Sequence, residues 1–245
     1  MLGWGVIGVN PAQAITFGTN IIVNPGAEAG AGSATGDVVS VPGWTTTGNF
    51  TVVPYGAAGF PERNSDAIVA GIGLSSLGNN FFAGGPNNNV SSASQTIDLS
   101  SIAEVIDSPS GVGFVLSATF GHFPEKDYPS LEIDYFDANG QPIFFGLLTG
   151  KIGPTIDQRG NIGVGSNKFS LFSGFRPGTR SAIVTLRMTR DTVGSSYNNA
   201  YADNLSLVLT DRTPATAVPE PSAVPGILVG GALVVGVMKK RRQKL

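Results

Sequence analysis

Apolar and polar residues alternate with a period of two through most of this 245-residue chain, and no segment sustains the three-to-four spacing of an amphipathic helix over several turns. Val112, Phe114, Leu116, Ala118 and Phe120 fall on one face of a predicted strand. Leu131, Ile133 and Tyr135 do the same, as do Ala182, Val184, Leu186 and Met188, and a last strand carries Leu205, Leu207 and Leu209. Turn chemistry punctuates these runs. Asp137-Ala138-Asn139-Gly140 suits a short hairpin, and Arg176-Pro177-Gly178-Thr179 precedes another strand. Strands joined by Gly-rich and Pro-rich connections, with no alternating helices, predict an all-β sandwich or jelly roll and not a parallel sheet.

The two ends break this pattern. Leu2 to Val9 is apolar and is followed by Pro11 and by Ala12-Gln13-Ala14, the form of a signal-peptide cleavage site, so residues 1–14 read as a signal-peptide remnant with mature protein beginning near Ile15. No Lys or Arg precedes Arg63, so the usual basic start of such a signal is missing. At the other end Ala223 to Met238 is apolar and uncharged, near the short limit for a spanning helix, and Lys239, Lys240, Arg241 and Arg242 follow at once. This predicts a C-terminal single transmembrane-type helix with its basic end cytoplasmic and the body of the protein exported. Pro214, Pro219 and Pro221 keep helix and sheet out of the stretch before it, which makes residues 211–218 a linker.

Composition narrows the chemistry. Only 13% of residues are charged and the net charge is −2, so no field of one sign is available to hold nucleic acid. The absence of cysteine excludes disulfides, thiolate metal sites and a cysteine nucleophile. With His122 as the single histidine, a zinc site built on several imidazoles is excluded as well. No activating motif surrounds a candidate serine. Glu132 and Asp134 share one strand face and raise the question of paired carboxylates, but they alternate with Leu131, Ile133 and Tyr135 in the manner of a solvated face.

Two resemblances add to this reading. The order Pro219-Glu220-Pro221, apolar span, basic end resembles the PEP-CTERM sorting signal, which implies residues 219–245 as a sorting segment, an exosortase-type processing enzyme as partner, and delivery to the cell envelope or beyond by way of the inner membrane. The phrases Asn24-Pro25-Gly26-Ala27-Glu28, Pro42-Gly43-Trp44, Phe81-Phe82-Ala83-Gly84-Gly85-Pro86, Ser94-Gln95-Thr96-Ile97-Asp98-Leu99 and Tyr201-Ala202-Asp203-Asn204-Leu205 together resemble the galactose-binding-like jelly roll, related to several carbohydrate-binding modules. This implies a β-sandwich over residues 15–210. It also implies a structural Ca2+ held by Glu28 and Asp203, where a hard cation wants several oxygen ligands; the alternative is an exposed Glu28 and a strand-capping Asp203.

A sugar site would need an aromatic platform and nearby polar groups. Trp44, Tyr55, Phe60 and Tyr128 are available for the first, and Arg63, His122, Asn79 and Asn80 for the second, although Trp44 after Pro-Gly also suits a buried plug between sheets. The first functional expectation is a non-enzymatic structural or adhesive module of the cell envelope. The alternative is a calcium-stabilised, lectin-like module for exopolysaccharide, and a glycoside hydrolase stands behind both.

Overall fold

The computed structural model describes residues 15–62, 77–122, 127–149, 164–191 and 194–211, without the side chains of 122, 148–149 and 164–169. The remnant at 1–14, Arg63, the linker and the segment 219–245 lie outside the described residues. The strands are β1 (Thr45–Thr47), β2 (Thr51–Pro54), β3 (Asn80–Pro86), β4 (Val90–Asp98), β5 (Val112–His122), β6 (Tyr128–Phe136), β7 (Pro142–Thr149), β8 (Val164–Gly174), β9 (Ser181–Thr189) and β10 (Tyr197–Asp211), with a short helix α1 (Ala103–Asp107) after β4. They form two five-stranded antiparallel sheets, in the orders β1-β4-β9-β6-β7 and β2-β3-β10-β5-β8. The chain is therefore an all-β, two-sheet sandwich.

The alternation in the sequence explains the core. Leu131, Ile133 and Tyr135 of β6 and Ala182, Val184, Leu186 and Met188 of β9 line the inner face of the first sheet, and all are buried. Phe114, Leu116, Ala118 and Phe120 of β5 answer from the second sheet. At one end Phe114, Tyr135 and Phe175 close the gap by ring contacts between 5.0 and 6.4 Å, the range preferred by edge-on and tilted aromatic pairs.

The spine of the second sheet is β10, which pairs with β5 along its length and with β3 over its first half. Along its second half the N-terminal segment takes the place of β3: Gly18 N donates to Leu209 O and Ile21 N to Leu207 O. Between the halves β10 carries one residue more than β5, since Asp203 faces Thr119 but Ser206 faces Ser117. Asn204 adopts φ +51° at this bulge. The extra residue switches the parity, so that Ala200 and Ala202 point into the main core before it and Leu205, Leu207 and Leu209 after it.

The two outer faces differ. That of β2-β3-β10 is covered: Val53, Phe81, Ala83 and Tyr201 are fully buried and form a second small core beneath Tyr55, Ala57 and Phe60. The outer face of β1-β4-β9-β6-β7 carries exposed or half-buried side chains on every strand.

The expected C-terminal membrane helix is corrected. Among the described residues no helix is long and apolar enough to cross a membrane. The segment on which the expectation fell, 223–238, lies outside them, and as a helix of sixteen residues it would reach about 24 Å against about 30 Å of hydrocarbon. Membrane attachment through such a helix, and inner-membrane anchoring with Lys239, Lys240, Arg241 and Arg242 on the cytoplasmic side, fall with it.

The bulge makes a sharp prediction. Asn204→Gly should leave stability within about 1 kcal/mol of the parent in urea unfolding, whereas Asn204→Val, β-branched at positive φ, should lose about 1–3 kcal/mol.

Candidate functional site

Sequence reasoning put forward two constellations, and the structure treats them differently. Asp203 approaches the turn that carries Glu28, since a methyl at Gly26 would stand 3.3 Å from Asp203 Oδ1, while the Glu28 carboxylate itself lies against Gly78 and Asn80. Glu28 Oε1 accepts from Asn80 N at 2.8 Å and Oε2 from Asn79 Nδ2 at 3.3 Å, and a Cβ at Gly78 would collide with this carboxylate. Asp203 is fully buried; Oδ1 accepts from Asn204 N at 2.7 Å and Oδ2 from the Tyr55 hydroxyl at 2.8 Å. Among the described residues no group of three or more His, Cys, Asp or Glu gathers, so a hard cation at Asp203 or Glu28 would have to take further ligands from backbone carbonyls or water.

The proposed sugar-binding aromatics do not converge. Trp44 is only 9% exposed, packs edge-on against Phe82 at 5.6 Å, and donates its indole N–H to Asn24 O, so it is a plug in the core. Tyr55 lies 4.8 Å from Phe81 over the covered sheet and is tied to Asp203. Phe60 stacks on Tyr197, and Asn80 is buried, donating to Ala27 O and Gly30 O. Tyr128 alone of the four named ligand residues sits on the open sheet, half-buried at the start of β6.

On that open face the strand registers lay out a grid. Across one row stand Thr47, Ser92, Arg187 and Ser130; across the next, Thr45, Ser94, Thr185, Glu132 and Leu147. A third row runs Thr96, Ile183, Asp134, Phe145. The face thus grades from hydroxyls on β1 and β4, through charge on β9 and β6, to apolar groups on β7. Arg187 Nε donates to Glu132 Oε1 at 3.3 Å, and the Ser130 hydroxyl donates to the same oxygen at 3.4 Å, both long contacts.

Asp134 is half-buried between Ile183 and Phe145, and among the described residues no hydrogen bond reaches its carboxylate. Burial, with the Glu132 charge beside it, holds the Asp134 carboxyl above the usual aspartate range. Phe145 next to it is 52% exposed. In the sequence Glu132 and Asp134 have the pattern of a solvated face and nothing local marks Arg187 or Phe145, because only the register of β9, β6 and β7 brings these two beside the pair.

No family model matches the chain, and no curated protein matches it by sequence. Nothing found supports the sorting signal expected at Pro219-Glu220-Pro221 or an exosortase partner, and that expectation is dropped. Solved structures do resemble the sandwich. The enzymatically active domain of tailspike protein 4 from bacteriophage CBA120 matches over 78% of this chain at 17% identity and a TM-score of 0.44, with this chain spanning only 22% of its length. TmCBM61, solved with β-1,4-galactotriose, matches over 78% of this chain and 98% of its own at 14% identity and a TM-score of 0.38. The C-terminal family 22 carbohydrate-binding module of Clostridium thermocellum Xyn10B matches over 74% and 99% at 14% identity and a TM-score of 0.39. The fold is a β-sandwich resembling carbohydrate-binding modules at low identity, and a likeness at that level carries no argument about ligand.

The raised Asp134 pKa fixes a sign. The folded chain binds this proton more tightly than the unfolded chain, so the favourable term is complete below the ordinary aspartate pKa and is lost as pH rises through the folded value. Ionised Asp134 is then a liability at neutral pH. Asp134→Asn should raise the melting temperature at pH 7, and the gain should shrink as pH falls into the ordinary aspartate range, as followed by thermal melts across pH.

Proposed function

We propose that this protein is a non-catalytic, lectin-like module that binds a polysaccharide chain across the open face of the β1-β4-β9-β6-β7 sheet. The observation that carries the reading is Asp134, a half-buried carboxylate that receives no hydrogen bond among the described residues and lies in register beside an exposed aromatic ring, Phe145. Carbohydrate recognition asks for that combination: an acceptor for hydroxyl hydrogens and an apolar plane for the face of the ring. The neighbouring Arg187–Glu132 pair, the Ser and Thr hydroxyls and Tyr128 supply further polar contacts along the same face. Four strand spacings of about 4.8 Å make the face about 19 Å across, room for several sugar rings in a row.

The same geometry speaks against hydrolysis. Glu132 and Asp134 are successive outward residues of one strand and would approach a glycan from one side, whereas glycoside hydrolysis sets its two carboxyl groups on either side of the bond to be broken. The purely structural or adhesive reading has less in its favour, since it gives no purpose to a half-buried carboxylate set in register beside an exposed ring.

Glu28 and Asp203 are proposed in addition as the carboxylate ligands of a structural Ca2+, joining the N-terminal turn to β10. The cation would supply charge neutralisation at the buried Asp203 and no chemistry on a substrate.

Two experiments test these readings. In affinity electrophoresis through gels holding a panel of neutral, amino and acidic polysaccharides, the parent should be retarded by at least one, and Asp134→Asn and Phe145→Ala should each weaken that binding about tenfold or more, about 1.4 kcal/mol. Retention unchanged in both variants would refute the platform. For the cation, added Ca2+ should raise the melting temperature and EGTA reverse it, with Glu28→Gln losing the response; a melting curve indifferent to Ca2+ removes the metal and leaves the sugar platform untouched.

A further inference from the structure

The two flanks of the sandwich are finished differently. On one side the sheets end in β1 and β2, three and four residues long. On the other they end in β7 and β8, eight and eleven residues long, each paired on one side only among the described residues. Long free edges invite another strand, and proteins usually blunt them with charge, proline or brevity. Here β7, Pro-Ile-Phe-Phe-Gly-Leu-Leu-Thr, has no charged residue and its one proline is the first, while β8 has a single charge, Lys168. Beside these edges Phe172 is 76% exposed, Phe145 52% and Leu147 44%.

We propose that this flank is where a second copy of the chain docks, edge to edge, with β7 against its counterpart and β8 against its counterpart about one two-fold axis normal to both sheets. Three features of the molecule select a copy of itself. β7 and β8 lie directly over one another, Leu171 Cδ2 standing 3.1 Å from where a Cβ on Gly146 would be, so the flank presents two stacked strand edges. A partner must offer two edges at the same sheet separation, about 10 Å, and a second sandwich has that spacing built in. A two-fold normal to the layers makes both new pairings antiparallel at once, as an isologous interface requires.

Charge also permits self-pairing, because an uncharged β7 meets no like charge in its own image. The size is sufficient but modest: eight residues at about 3.4 Å give about 27 Å of edge, and with a flank about 20 Å wide each copy contributes on the order of 500 Å2, so the total of about 1,000 Å2 sits at the lower limit for a specific interface. The dimer is therefore concentration-dependent in the micromolar range or weaker. It joins two open faces into one ten-stranded platform, so a long polymer spanning both would gain avidity.

Sedimentation velocity of the full chain over about 1–200 µM should show a shift from 25.2 kDa toward twice that mass. Leu147→Lys and Phe172→Lys, both at exposed positions, should each weaken dimerisation at least tenfold with an unchanged melting temperature in the dilute, monomeric range. Amide exchange in residues 142–149 of the parent should slow as concentration rises. A chain that remains monomeric throughout overturns the proposal, and so does a dimer that both lysine variants leave intact or that forms without protection of β7.

Discussion

The register of β10 is the constraint from which the rest of this sandwich follows. One strand must face β5 from Ala200 to Asp211 while exchanging its other neighbour midway, from β3 to the N-terminal segment, and it must keep apolar side chains on the core side throughout. A regular strand could not do so with this sequence, because Ala200 and Ala202 are even-numbered and Leu205, Leu207 and Leu209 are odd. The left-handed Asn204 absorbs the difference, and the buried Asp203 carboxylate holds it by accepting from the Asn204 amide on one side and the Tyr55 hydroxyl on the other. A slip of one residue would turn three leucines outward.

The same device decides which face of the molecule is free. Before the bulge Tyr201 points away from the main core, and with Phe81 and Val53 it forms an apolar patch that the chain must cover, which Tyr55, Ala57 and Phe60 do. The Tyr197 and Tyr201 phenols are held well above their usual range by that burial. The first sheet has no such patch on β1, β4 and β9, whose outward positions are mainly Ser and Thr, so nothing there demands a cover. One face is covered by the chain itself and the other is open.

Asp134 stands on that open face. A carboxylate set between Ile183 and Phe145, without a hydrogen bond among the described residues, is a cost to the fold at neutral pH. Sites that must bind something commonly keep such unfavourable groups, because the ligand supplies the missing hydrogen bonds.

The sequence by itself determined the class of fold and much of its punctuation. Alternation marked the core faces of β5, β6, β9 and the end of β10, and the Asp137-to-Gly140 turn stands where it was expected, with Asp137 Oδ1 accepting from Asn139 N and Gln141 N at 2.8 Å. These features are local, set by side-chain period and turn geometry over a few residues. The approach of the Asp203 carboxylate to Gly26 is by contrast a product of tertiary structure. The open platform was not anticipated, since Asp134, Phe145 and Ile183 are neighbours only because β7, β6 and β9 pair in one register, and no periodicity within a strand encodes the strand beside it. Trp44 and Tyr128 look equally suitable as sugar platforms in one dimension, and it is the tertiary structure that buries the first beneath Phe82 and leaves the second on the open sheet. Period decides what a strand can bury; pairing decides what it can present.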